Sequence, residues 1–162
     1  MWFHRRDDRW MQFVEVRRDG RMVACLASAE GESGDEWPPS PPFQNLELQT
    51  IPGKAQTALL VGKAGSSHWS AAVEADPTAG VLRFDVACRI QNEPSRLGSS
   101  YWIGANPKLP PPALPRFEMT PIGDGVERRL DVTDREVAIR VLSDTGPLPR
   151  TIRWQYVISF PE

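Results

Sequence analysis

Few side chains in this sequence could do chemistry, and they are scattered. His4, His68, Cys25 and Cys88 are the whole nitrogen and sulfur ligand inventory, at no spacing that a zinc site uses. No metal and no cofactor is therefore expected. His68 follows Ser66 and Ser67, a pairing that invites a nucleophile with its base. A serine nucleophile needs that base across space and a carboxylate to orient it. Neighbours on an extended strand point to opposite faces or lie too far apart. Gly62-Lys63-Ala64-Gly65-Ser66 has the glycines of a phosphate loop. It lacks the Ser or Thr after the lysine and a helix behind it, and is expected to turn the chain between two strands. No catalytic residue is assigned.

Two longer patterns also fail. Asp144-Thr145-Gly146 matches the triplet of aspartic proteases, but there is one copy, Ser143 precedes it, Pro147 follows it, and only sixteen residues remain after it. It reads as a turn. Cys25, Trp37 and Cys88 are spaced like the cysteines and tryptophan of immunoglobulin domains. Trp37, however, opens a proline tract, and Val86 stands where that fold has a tyrosine. The cysteines are expected to be two reduced thiols in a cytoplasmic protein. The N-terminal residues Met1 to Trp10 are charged where an export signal would be apolar.

The elements that must position any site are strands. Leu82 to Ile90 alternates strictly, with Leu82, Phe84, Val86, Cys88 and Ile90 on one side and Arg83, Asp85, Ala87 and Arg89 on the other. With Pro77 to Gly80 as a four-residue loop, Ala75 faces Leu82, Val73 faces Phe84, Ala71 faces Val86 and Trp69 faces Cys88. Only that register sets apolar against apolar along the whole hairpin. Thr151 to Phe160 alternates equally well, placing Ile152, Trp154, Tyr156, Ile158 and Phe160 on one face. Asp19-Gly20 predicts a type I′ turn between Trp10–Arg18 and Arg21–Ser28, with Val16 opposite Val23 and Val14 opposite Cys25. Val126 to Val132 pairs with Val137 to Leu142, setting Leu130 against Ile139. Phe43–Ile51, Thr57–Val61, Ser67–Ala75, Gly98–Ile103 and Phe117–Ile122 are the remaining strands.

No window has helical periodicity over three turns, so residues 1–162 are expected to form one all-β domain. An antiparallel β-sandwich of about ten short strands is the first choice; an up-and-down β-barrel is the alternative. The prolines gather in Trp37 to Pro42 and Pro107 to Pro115. Both stretches read as stiff connections laid over the sheets, in preference to polyproline docking peptides built on Pro38/Pro41 and Pro112/Pro115.

Net charge is −2 with the basic residues dispersed, which argues against a nucleic acid partner. No apolar run approaches the ~20 residues of a membrane helix. Two classes of function remain. One is a non-catalytic binding or interaction module. The other is a small-ligand carrier or enzyme with a pocket inside a barrel. The module is preferred because the inward faces of the two best strands are apolar. The expected site is the outer face of the Ser67–Arg89 hairpin, where one register aligns His68 with Arg89, Ala72 with Asp85 and Glu74 with Arg83. Tyr101 and Trp102, beside the second proline stretch, are expected to reach solvent and flank it. Such a face suits a polar ligand, a protein partner or a second copy of the chain.

Overall fold

The computed structural model describes residues 1–50, 56–105, 118–122, 128–133, 135–142 and 146–159. Among the described residues, twelve strands form two antiparallel sheets. The first has the order β1 (Trp2–Arg6), β2 (Arg9–Arg18), β3 (Arg21–Ser28), β8 (Gly98–Ala105), β11 (Glu136–Val141), β10 (Arg128–Val132). The second has the order β4 (Phe43–Gln49), β5 (Gln56–Ala64), β6 (Ser67–Asp76), β7 (Val81–Ile90), β12 (Arg150–Ser159), β9 (Glu118–Ile122). The sheets pack as a sandwich and do not close into a barrel. No helix occurs among the described residues, and so none long and apolar enough to cross a membrane.

The alternating strands bury the faces expected of them. Trp69, Val73, Leu82, Phe84, Val86, Ile90, Ile139, Val141, Trp154, Tyr156 and Ile158 all lie in the core. The β6–β7 pairing runs from His68↔Arg89 to Asp76↔Val81, as side-chain alternation requires. The β10–β11 pairing likewise sets Leu130 against Ile139 and Val132 against Val137.

Departures have local causes. Asp19 and Gly20 both take positive φ, 52° and 74°, as a type I′ turn demands. Beyond Arg17↔Met22, however, the β2–β3 register slips, so that Val16 pairs with Ala24 and Val14 with Leu26. A bulge of this kind bends a strand without marking the residue pattern. The sequence does not predict β1, because it is a short edge strand whose side chains, Trp2 included, are exposed apart from the half-buried Phe3. β5 runs on through Gly62 and Lys63, and the turn is only Gly65-Ser66. Gly62 stays in the strand because the Pro42 carbonyl packs directly onto its Cα, where a Cβ would overlap it. Asp144, Thr145, Pro107 to Pro115, Phe117, Val126 and Phe160 lie outside the described residues.

The first proline tract is a structural brace. Pro38, Pro41 and Pro42 are buried, and Trp37 meets Trp69 edge-on with ring centroids 5.8 Å apart. Beyond Ser28, where β3 ends, the Ala29 N–H still donates to the Ser100 carbonyl (2.8 Å), and Ser40 joins it beside β8. Its Oγ donates to the Ser100 carbonyl (2.6 Å) and accepts from the Ser100 N–H (3.1 Å). Pro38 and Pro41 are thus engaged in packing.

A polar seam crosses the otherwise apolar interior. The Tyr101 and Tyr156 hydroxyls meet at 2.7 Å, Tyr101 donates to Gln12 Oε1 (3.2 Å), and Trp154 Nε1 donates to Ser99 Oγ (3.1 Å). The Gln12 N–H donates to Ser28 Oγ (2.9 Å), and that hydroxyl donates to Glu30 Oε1 (2.6 Å). Burial pushes the Glu30 carboxyl up to about 7, against the pull of the Ser28 bond and the Arg9 and Arg6 charges. Between its unfolded value of 4.5 and about 7, only the folded chain keeps this proton. Folding stability is therefore full below the unfolded value and lost as pH rises through the folded one. The loss should be on the order of 3 kcal/mol by pH 8. Urea unfolding at pH 5 and pH 8 should show most of this drop in the wild type and a clearly smaller one in Glu30→Gln.

Candidate functional site

Where β4, β5, β6, β7 and β12 lie side by side, their outward residues form rows across the strands. The registers set Lys63 beside His68, His68 beside Arg89, and Arg89 beside Thr151. The next row is Val61, Ser70, Ala87 and Arg153; the third is Leu59, Ala72, Asp85 and Gln155. Thr57, Glu74, Arg83 and Val157 make the fourth. Rows arise because each side chain on one face of a pleated sheet stands next to its cross-strand partner.

Small residues in the middle rows leave the face hollow. A depression of about 520 Å³ is lined by Gln44, Asn45, Lys63, His68, Arg89 and Thr151 over Ser70 and Ala87. Among the described residues, no ion pair or side-chain hydrogen bond holds the Lys63, His68 or Arg89 side chains. Gln44 fixes the rim by accepting from the Lys63 N–H (2.6 Å) and donating to the Lys63 carbonyl (2.9 Å). A second depression, about 300 Å³, is lined by Ala72, Glu74, Arg83, Asp85 and Gln155.

The middle is electrically closed. Arg153 forks onto Asp85, with Nε donating to Oδ1 (2.6 Å) and Nη2 to Oδ2. The Arg153 guanidinium holds the Asp85 carboxyl below the usual carboxylate range, and Asp85 in turn raises Arg153. Six residues separate His68 from Glu74, about 20 Å along a strand at ~3.3 Å per residue. The expected patch is therefore two depressions flanking a neutral bridge.

His68, Arg83, Asp85 and Arg89 share this face. Tyr101 and Trp102 do not join them. Tyr101 is 1% exposed and points between the sheets, where its ring meets Phe84 and Tyr156 edge-on. Trp102, 53% exposed, points outward from the first sheet, on the opposite side of the sandwich. Both belong to the regular strand β8, so consecutive side chains must part. Lys63 and Arg153 were missed. Arg153 could be read as outward from the alternation of β12, but not as a neighbour of Asp85.

The cysteines stand apart from the site. Both thiols are free, and burial pushes Cys88 up to about 12 and raises Cys25 as well. Neither supplies thiolate at neutral pH. Comparison of the chain with family models, curated proteins and solved structures finds no match, so this geometry alone carries the functional reading.

Proposed function

We propose that this protein is a non-catalytic binding module that holds an anionic group of its ligand or partner in the hollow of the second sheet. The observation that carries this is the row Lys63, His68, Arg89, Thr151, in which three basic side chains stand side by side without carboxylate partners among the described residues. Thr151 and Ser70 add hydroxyls that donate to the same oxygens. The space between the sheets supports an outside site, since Phe84, Tyr101, Trp154, Tyr156 and Ile139 fill it. Two free thiols, one sealed in the core, fit a reducing compartment such as the cytoplasm.

Inorganic phosphate and citrate are suitable probes, followed by backbone amide NMR. Either anion should shift the resonances of Lys63, His68, Ser70, Ala87 and Arg89 selectively. Arg89→Glu places a carboxylate in the row and should weaken binding at least tenfold at low salt. Light scattering on both proteins separates a ligand site from a face joining two copies of the chain. Unchanged resonances with both anions would remove the basis for this reading.

A further inference from the structure

The turn between β1 and β2 and the chain leaving β3 enclose a separate hollow of about 580 Å³, lined by Arg6 to Arg9 and Glu30 to Ser33. Arg6 pairs across the turn with Arg9, and Asp7 takes a positive φ of 55°. Arg9 is only 7% exposed. Its Nε donates to Asp8 Oδ1 at 3.2 Å, yet its Nη1 is buried without a partner. Glu30 has the complementary deficit: Oε1 takes the Ser28 hydroxyl, while Oε2 is buried and unpartnered. The two residues that carry this buried donor and this buried oxygen, both unsatisfied, line the same hollow. Leaving such groups empty is costly, and the space exceeds the roughly 30 Å³ share of one water more than tenfold.

We propose that this hollow is a binding site for a primary amine flanked by a carbonyl or carboxylate oxygen, the group carried by a free amino acid and by a polypeptide amino terminus. The ammonium donates to Glu30 Oε2, and the neighbouring oxygen accepts from Arg9 Nη1. Charge selects the same ligand. Arg6 with Asp7 and Arg9 with Asp8 form two ion pairs, which leaves Glu32, and Glu30 above the pH of about 7 where it loses its proton, as the uncompensated charges of the lining. A cation with an adjacent acceptor satisfies both the excess and the two orphaned atoms. The site lies on other strands than the Lys63–Arg89 row and does not depend on it.

Calorimetric titration of the full chain with L-alaninamide, L-alanine and N-acetyl-L-alaninamide tests this directly. The two amine-bearing probes should bind, and the acetylated one at least tenfold more weakly. A tighter fit for alaninamide identifies a polypeptide terminus as the source, and a tighter fit for alanine a free amino acid. Glu30→Gln and Arg9→Met should each weaken the amine-bearing probe at least tenfold. Equal affinity for all three probes, or no heat from any of them, overturns the proposal and leaves the hollow to water. Binding unchanged in both folded variants overturns it as well. The probe series on the wild type needs no variant, so a variant that fails to fold does not blunt the test.

Discussion

Gly98→Ala should destabilise the protein by about 4 kcal/mol or more, enough to remove most of the stability of an ordinary domain. Gly98 opens β8 with φ 151°, a conformation that side chains rarely adopt, and a Cβ there would run into the carbonyl oxygen of Ile139. The backbone strain alone is worth about 1–3 kcal/mol. Relieving the overlap would push β8 off β11, where Gly98 pairs with Arg140 and Ser99 with Ile139, and each ladder bond lost adds about 1 kcal/mol. Gly104→Ala in the same strand is the control. Its added Cβ meets the Cys25 carbonyl at an ordinary 3.6 Å, so its cost should stay within about 0.5 kcal/mol. Urea unfolding followed by circular dichroism distinguishes the two. Equal stability of both variants would contradict the close approach of β8 to β11.

Trp154→Ala should cost about 3–5 kcal/mol. The indole is 1% exposed at the centre of β12, and its N–H is bound to Ser99 Oγ across the sandwich. Truncation leaves a cavity between the sheets and strips the buried Ser99 hydroxyl of a donor. Val61→Ala, on the outer face of the same sheet and half exposed, should cost under about 1 kcal/mol. The comparison also bears on function. A core that lost Trp154 at little cost would be loosely filled, and an interior ligand would again compete with the outer hollow. The expected large loss keeps the ligand outside.

Much of the fold was legible because the closest pairings are local. The β6–β7 and β10–β11 registers follow from alternation across a short loop, since a one-residue slip would turn every apolar side chain to solvent. The same reasoning places His68, Arg83, Asp85 and Arg89 on one face. It failed at the β2–β3 bulge, because an extra residue is a backbone event with no side-chain signature. It also misplaced Tyr101, expected to reach solvent beside the second proline stretch although β8 carries it into the core.

The sequence by itself determined the strands, their inward faces and the shortest hairpins, because these depend on side chains within a few residues of one another. Only the tertiary structure decided which distant strands meet. β12 lies against β7 with Arg153 next to Asp85, closing the middle of the expected patch. β5 continues far enough to set Lys63 beside His68, because Pro42 packs onto Gly62. The end of β3 lies under the β1–β2 turn, which brings the hydrogen-bonding deficits of Arg9 and Glu30 into one hollow. Each of these contacts joins segments far apart in the chain. Their geometry is set by how whole sheets pack, and no local pattern of residues encodes it.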